Sequence, residues 1–317
     1  MANEVLLFTW ISVSLKPKQL TRNLESGFAA SGGFLPAGLS ASVNPGYGNS
    51  NQAQLNPFYG SFYNTSAAAQ NNYIFFRANN YALNFYNGLN SVGTPAPNGT
   101  KDPYRIVLVY APITGTTVGG NYDGDLASQP NPFTSGIGNG LAQGPSQDQL
   151  IVSDFESLFL QAEATARGFN VGSGSTADQL LQMAIEQNFV YLGETAADAD
   201  AYYTAGTTTP NPNVSYTAAV ASPASGNVDA TPGLQAIMTQ KWIALNGINW
   251  FQAYTDFRRT QFPLPSVLGI SHANSHVKNA IPYRFPYTQS EINTNGANVP
   301  SLAAGQYTPI FWDTFDH

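Results

Sequence analysis

The clearest hydrophobic periodicity in the chain predicts a helix that begins after Ser153 and ends at Gly168. Ser153 and Glu156 have the spacing of a capping box, in which each side chain satisfies a free backbone N–H of the first turn. Glu163 and Arg167 form an i,i+4 pair of opposite charge, which also favours a helix. Apolar residues recur at helical spacing along one face: Ile151, Phe155, Leu158, Phe159, Ala162, Ala166 and Phe169.

A second helix is predicted from Thr176, where Gln179 completes another capping box and apolar positions follow at helical spacing. Two helices joined by a glycine-rich turn are typical of tetratricopeptide-like hairpins. A third helix is predicted to open at the Thr-Pro pair of residues 231–232, because proline is favoured at the first helical position, and to stop at Gly247. A fourth covers residues 250–259.

The pattern outside these helices predicts little regular structure. Residues 104–113 are an apolar run rich in β-branched side chains, which predicts a short buried strand. A helix interrupted by a proline is predicted over residues 4–27, and residues 70–88 are expected to be ordered. The segments without periodicity predict loops over residues 114–149, 194–230 and 263–317. The predicted class is therefore mainly α, with very long irregular loops and little β.

Composition and charge restrict the function classes. Only 10% of the 317 residues are charged, against about 25% in ordinary soluble domains, and the net charge is −7. A polar but uncharged surface suits neutral polar ligands, and the lack of a basic patch excludes nucleic acid. The absence of cysteine excludes disulfides, thiol catalysis and cysteine zinc sites. No apolar run approaches the roughly 18 residues of a membrane helix.

Motifs over residues 151–313 resemble, in the same order, those of the SusD/RagB family of outer-membrane nutrient-binding lipoproteins. The helix at 156–164 resembles E-x-x-(F/L)-(L/I)-x-A-E-A, and the helix that contains Trp242 resembles Q-K-W-(I/L)-A-L-(x)-G. Residues 253–263 are similar to A-(W/Y)-x-D-(W/Y/F)-R-R-T-G-x-P, with Gln261 in place of the glycine. Residues 281–295 resemble (I/L)-P-x-R-(F/L)-x-Y-(P)-x-x-E-x-x-x-N, with Thr288 in place of the proline, and residues 310–313 resemble (V/I)-(W/F)-W-D.

The resemblance implies a SusD-like fold with tetratricopeptide-like hairpins and a single domain over residues 1–317 that lacks the family's N-terminal region. Residues 1–150 would be a loop-rich aromatic region, and residues 151–317 would hold the motif helices. Without the N-terminal helices, we expect the faces around Leu158, Phe159 and Trp242 to leave an apolar patch exposed.

The resemblance also implies a function. A SusD-like protein would sit at the extracellular face of the outer membrane, lipid-anchored in its full-length form. It would bind an oligosaccharide or polysaccharide for import through a partner SusC-type TonB-dependent transporter. No bond would be broken, and no cofactor would be needed.

The charged residues of the motifs are interpreted as structural. Asp256, Arg258 and Arg259 are expected to tie the end of the fourth helix to the loops around Arg284 and Glu291, since arginine binds carboxylates in a two-pronged way. An anion-binding site is the alternative. Glu156 and Glu163 lie about 10–11 Å apart by helical rise. Glycosidase carboxyl pairs are closer, at roughly 5–9.5 Å, so a catalytic role is not expected.

Two short stretches could hold a metal ion. Asp123 and Asp125 offer calcium ligands in a tight turn, although the spacing departs from an EF-hand loop and a plain turn is the alternative. His272 and His276 are four residues apart but lack the intervening glutamate of a zinc protease motif. The expectation is therefore that the protein uses no metal.

Aromatic residues crowd residues 47–76, interleaved with asparagine and glutamine. A sugar ring has one flat apolar face and a hydroxylated edge, which an aromatic ring and its polar neighbours can match. Tyr59, Tyr63 and Tyr73 are proposed as stacking rings, with Asn72 and Arg77 as hydrogen-bond donors. The same rings could instead fill a core between loops. A peptide cargo on the same scaffold and a secreted glycoside hydrolase remain the alternative functions.

Overall fold

The computed structural model describes residues 33–89, 99–119, 134–218, 231–260, 262–263, 284–301 and 308. Within these ranges the chain is mostly helical, and the predicted mainly α class is confirmed. The predicted helix at residues 4–27 lies outside the described residues. So do Asp123, Asp125, His272 and His276.

Four short strands in the described ranges form two antiparallel pairs. Strand β1 (Ala41–Val43) pairs with β4 (Gln149–Val152), and β2 (Tyr110–Ala111) pairs with β3 (Gly136–Ile137). The described helices are α1 (Pro57–Phe62), α2 (Asn71–Phe75), α3 (Asn80–Tyr86), α4 (Arg105–Val109), α5 (Asp154–Ala166), α6 (Ala177–Leu192), α7 (Ala196–Thr208), α8 (Leu234–Ala244), α9 (Trp250–Thr260) and α10 (Gln289–Asn295).

Helices α5 and α6 form the predicted hairpin. Thr176 and Gln179 make a complete capping box at the start of α6. At the start of α5, the Ser153 hydroxyl accepts the N–H of Glu156 at 3.1 Å. Among the described hydrogen bonds, the reciprocal bond from the Ser153 N–H to the Glu156 side chain is missing, so this capping box is incomplete. The Glu156 side chain is hydrogen-bonded to Asn249 instead. The capping role predicted for the Glu156 carboxylate is therefore wrong.

The main hydrophobic core lies between α5, α6, α7, α8 and α9. Phe155 and Phe189 are fully buried there, and burying each such ring stabilises the fold by about 1.5–3 kcal/mol. The patch predicted around Leu158, Phe159 and Trp242 is not exposed as expected. Leu158 is 3% exposed and Phe159 is 0% exposed, because α6 and α8 cover α5. Trp242 is half-buried against aromatic rings of α3.

The segment predicted as a buried strand, residues 104–113, is instead helix α4 followed by β2. Asp102 accepts the N–H of Arg105 at 3.0 Å and pairs with its guanidinium at 2.5 Å, which begins a helical turn. The guanidinium is fully buried and donates to Asn188 and Gln240 at 3.0 Å each. It also lies 4.5 Å from the ring centroid of Phe189. These tertiary contacts override the strand preference of the β-branched side chains.

Two segments predicted as loops contain helices. Helix α7 lies within residues 194–230, where Thr195 and Asp198 form a capping box. Helix α10 lies within residues 263–317 and begins after Thr288, whose hydroxyl accepts the N–H of Glu291. Helix α10 buries no residue, so it has no apolar stripe for periodicity to reveal. Helix α7 does bury Ala199, Tyr202 and Tyr203 at helical spacing, but they stand in a stretch dominated by alanine and threonine, and the sequence prediction missed them.

Helix α8 begins after Gly233 and not at residues 231–232 as predicted. Gly233 adopts the left-handed conformation, with φ +71°, and interrupts the helix there. Residues 70–88, which were expected to be ordered, hold α2 and α3. No helix in the described part of the chain is long and apolar enough to cross a bilayer.

Candidate functional site: an aromatic row on two short helices

Helices α1 and α2 bring the three predicted tyrosines into one row. The ring centroids of Tyr59 and Tyr63 are 5.2 Å apart, and those of Tyr63 and Tyr73 are 5.5 Å apart. Arg77 ends the row, with its guanidinium carbon 5.2 Å from the centroid of the Tyr73 ring. Four of the five residues proposed from the sequence therefore lie in one row, each in contact with the next.

Local sequence explains why the two helices fold back on each other. The Asn56 side chain accepts the N–H of Tyr59 at 2.9 Å, and Pro57 occupies the first helical position of α1. At the other end, the Gln70 side chain donates to the carbonyl of Tyr63 at 2.8 Å. Tyr63 also forms an antiparallel bridge with Ala69, so α2 follows α1 through a tight reversal.

Exposure separates the rings that can meet a ligand from those that cannot. Tyr59 is only 8% exposed and packs with Leu55 and Ala142, so it belongs to the core and not to the binding surface. Tyr63 and Tyr73 are half-buried, and each leaves part of its side chain at the surface. Phe76, three residues after Tyr73 in the sequence, is 62% exposed. We call Tyr63, Tyr73 and Phe76 the aromatic platform.

The sequence hypothesis missed Phe76. Its ring lies 6.0 Å from that of Phe62, the buried last residue of α1, which supports it. Phe75 is also 62% exposed. Both phenylalanines stand in the aromatic-rich stretch, but spacing alone does not show which rings a neighbouring element covers.

Arg77 positions the platform. Its Nη1 donates to the carbonyl of Tyr73 at 2.9 Å, its Nε donates to the Thr134 hydroxyl at 3.3 Å, and its Nη2 donates to the Thr134 carbonyl. These bonds use N–H groups of Arg77 that the sequence analysis had proposed as hydrogen-bond donors to a ligand. Asn72 is half-buried on α2, where its carbonyl oxygen accepts the N–H of Phe76 at 2.9 Å.

The phenol of Tyr63 stays protonated near neutral pH. Burial raises the pKa of Tyr63 to about 12, with Tyr73 and Tyr59 adding to the shift and Arg77 opposing it. A neutral phenol can donate one hydrogen bond and accept others. The platform therefore presents apolar ring faces next to an uncharged hydroxyl.

Strand β3 supports the platform at Gly136. A Cβ atom there would lie 2.7 Å from Nη1 of Arg77 and 2.9 Å from the Tyr73 ring. We predict that Gly136→Ala displaces both side chains and lowers the free energy of unfolding by about 1–3 kcal/mol, as overpacking does. Urea denaturation measures the change. Gly48→Ala is the matched control, because open space surrounds that position, and equal stability of the two variants would contradict the prediction.

The charged residues of the sequence motifs form a buried network away from the platform. Arg259 grips Glu163 with both terminal nitrogens, at 2.7 Å for the Nη2–Oε2 pair. It also bonds Asp256 at 3.0 Å, and Asp256 pairs with Lys241 at 2.8 Å. Arg167 reaches Glu163 at 2.8 Å, as its i,i+4 spacing predicts. The network joins α5, α8 and α9.

Arg284 and Glu291 do not join this network through any ion pair among the described residues. The Arg284 guanidinium lies 4.9 Å from the ring centroid of Tyr287, and Glu291 accepts a hydrogen bond from Asn295 at 2.7 Å. Arg258 is half-buried on α9. The described part of the chain holds no cluster of three or more side chains suited to a metal ion.

Comparisons with known proteins place this geometry in context. A SusD-like family model, described as starch-binding and associating with the outer membrane, matches residues 57–288. A SusD homolog from Parabacteroides distasonis superposes with a TM-score of 0.59 at 18% identity, covering 98% of this chain and 65% of that one. A second, from Bacteroides vulgatus, has a TM-score of 0.57 at 21% identity, covering 96% and 60%. At these identities the likeness concerns the fold.

Other solved structures match over less of their length. A chitin-binding SusD homolog from Flavobacterium johnsoniae is 25% identical, with a TM-score of 0.46, and the match covers 67% of this chain and 46% of that one. The chain spans 46%, 53% and 60% of the first three solved structures compared. A search of curated proteins found no match.

Proposed function

The chain belongs to the SusD-like family, and from that premise we propose that it binds a neutral oligosaccharide or polysaccharide at a cell surface. The observation that carries the proposal is the aromatic platform, in which partly exposed rings are held in place by Arg77. A surface with few charges suits the same class of ligand, because a neutral sugar gains nothing from a charged field.

Capture would use stacking and hydrogen bonds without covalent chemistry. The apolar face of a sugar ring would lie on Tyr73 and Phe76, where it removes apolar area from water. The protonated Tyr63 hydroxyl would bond a sugar hydroxyl at the edge. Because Arg77 and Thr134 already fix Tyr73, little side-chain entropy is lost when the ligand arrives.

The family description extends the proposal to the membrane. It associates such proteins with the outer membrane, and we propose that the full-length protein is lipid-anchored at the extracellular face. A SusC-type TonB-dependent transporter would receive the captured glycan. A cell-binding assay with a fluorescently labelled glycan tests this part of the proposal. Cells that lack the protein are expected to retain less glycan, and complementation is expected to restore retention.

Binding is favoured over hydrolysis by the state of the carboxylates in the buried network. Glu163 is held by Arg259 and Arg167, and Asp256 is held by Lys241 and Arg259. Despite the raising effect of burial, the cations lower the pKa of Glu163 to about 2, which makes its carboxyl a poor proton donor at neutral pH. A product-release assay on the glycans that bind tests this, and reducing ends that disappear when one carboxylate is replaced would establish a hydrolase instead.

We predict that Tyr73→Ala weakens binding of a starch oligosaccharide such as maltohexaose by about two- to twelve-fold. This corresponds to roughly 0.5–1.5 kcal/mol for a stacked ring. Calorimetric titration measures the affinity, and a thermal melt confirms that the variant is folded. Phe285→Ala is the matched control, since that ring is 76% exposed and lies in another segment.

Each alternative predicts a distinct outcome. A folded Tyr73→Ala variant with unchanged affinity would place the site elsewhere. A chain that binds no member of a glycan array but binds peptides from a peptide library would support the alternative cargo.

A further inference from the structure

A cleft of about 190 Å³ opens between β4, the first turn of α5, the last turn of α6 and the turn that joins α8 to α9. Phe58 of α1 lines the cleft, and its ring is 5.2 Å from that of Phe62, which contacts the platform ring of Phe76. The cleft and the aromatic platform are therefore connected through one short helix.

The walls of the cleft include two aromatic side chains. Phe58 and Tyr191 are half-buried there, so each leaves part of its surface to the cleft. Burial raises the pKa of Tyr191 to about 12, so its hydroxyl is neutral at ordinary pH. On a third side the backbone of Gly247 comes so close to Leu141 that a Cβ on Gly247 would lie 2.5 Å from Leu141 Cδ1.

The polar lining of the cleft includes Glu156 and Asn249 beside Gln147, Asp148, Gln149 and Ser153. The Glu156 carboxyl is 7% exposed and is hydrogen-bonded to the side chain of Asn249. Burial raises its pKa, Asp256 adds to the shift, and Lys241 opposes it. Among the described residues that line the cleft there is no lysine or arginine. A carboxyl in this setting gains from ligand groups that donate hydrogen bonds without bringing another negative charge.

We propose that this cleft is a second binding site, which takes a single neutral hexose ring. Its volume suits one ring and not a chain, its aromatic walls match the apolar face of a sugar, and Glu156 with Asn249 can bond adjacent hydroxyls. The proposal rests on the proposed function for the carbohydrate class but assigns different residues. Phe58 and Phe62, four residues apart on α1, connect the wall of the cleft to the platform through ring contacts.

Gly247→Ala tests the proposal by closing the cleft. The added methyl group clashes with Leu141, which also lines the cleft, so the shape of the cleft changes. A misfit of one methyl group costs at least about tenfold in affinity. Gly168→Ala is the matched control, because Gly168 has the same left-handed backbone, φ +84° against +77°, with nothing within 4 Å of the added atom. Ligand-observed NMR titration with glucose, galactose, mannose and N-acetylglucosamine measures binding, and thermal melts confirm folding of both variants.

A second variant separates binding from folding. Glu156→Gln keeps the shape of the cleft but removes a hydrogen-bond acceptor. Because burial disfavours the charged form of Glu156, this change should leave the melting temperature equal or higher while it weakens hexose binding. A purely structural carboxyl would show the opposite pattern.

Support requires that at least one hexose binds the wild-type chain and the Gly168→Ala variant but is lost from Gly247→Ala. The proposal is overturned if no hexose binds, or if Gly247→Ala and Glu156→Gln bind as the wild type does. Maltohexaose titration of the same proteins distinguishes this failure from failure of the proposed function. If the cleft proposal alone is wrong, Gly247→Ala and Gly168→Ala bind maltohexaose equally.

Discussion

Replacing Glu163 with glutamine is expected to lower the free energy of unfolding by about 3–5 kcal/mol, as removal of one partner from a buried ion pair does. The carboxylate bonds Arg259 and Arg167 and is 5% exposed. Its loss leaves the Arg259 guanidinium, which is 17% exposed, with Asp256 as its remaining ion-pair partner among the described residues. Urea denaturation measures the change.

The same carboxylate should make the fold sensitive to acid. Burial by itself would raise the pKa of Glu163, but Arg259 and Arg167 outweigh it and lower the pKa from 4.5 to about 2. A lowered folded-state pKa means that the stabilisation is complete above pH 4.5 and is lost as pH falls toward 2. Wild type should therefore lose roughly 3 kcal/mol across this window through Glu163, and Glu163→Gln should lose correspondingly less.

Glu291→Gln is the matched control for both measurements. Its side chain lies on α10 outside the buried network and contacts Asn295, so its removal should change stability by no more than about 0.5 kcal/mol. If Glu163→Gln proved as stable as Glu291→Gln at neutral pH, the network would contribute nothing to the fold. An unchanged acid transition would contradict the lowered pKa.

Arg105→Met is expected to be as severe, with a loss of about 3–5 kcal/mol. The substitution leaves Asp102 buried without its cation. It also removes the N–H groups that donate to the side-chain oxygens of Asn188 and Gln240. Adding Asp102→Asn to this variant should restore part of the stability, since the unpaired buried charge is then gone. Chemical denaturation of the two variants measures the difference, and recovery in the soluble fraction serves if the single variant does not fold.

Lys101→Met is the control for the arginine experiment. Lys101 is exposed and close in sequence to Asp102, so its loss should be nearly neutral. If Arg105→Met were equally neutral, or if the double variant were less stable than the single one, the buried pairing would not hold α4 in place.

Part of the candidate site could be inferred from the sequence. Tyr63, Tyr73 and Arg77 were named because aromatic and polar residues are interleaved there, and the structure brings them together. Tyr59 was proposed as a stacking ring with core filling as the alternative, and the structure buries it against Leu55 and a distant residue, Ala142. Whether these rings bind a glycan is the subject of the proposed experiments.

What the sequence determined by itself is the set of helices whose signals are local. The hairpin of α5 and α6 and the start of α9 follow from apolar spacing, caps and turns within a few residues of each other. What only the tertiary structure decided involves partners far apart in the chain. Arg105 turned a predicted strand into a helix because Asp102, Asn188 and Gln240 meet around it. The Glu156 side chain bonds Asn249 and does not cap α5 as predicted. Its burial and its charged neighbours are set by residues that only folding brings near.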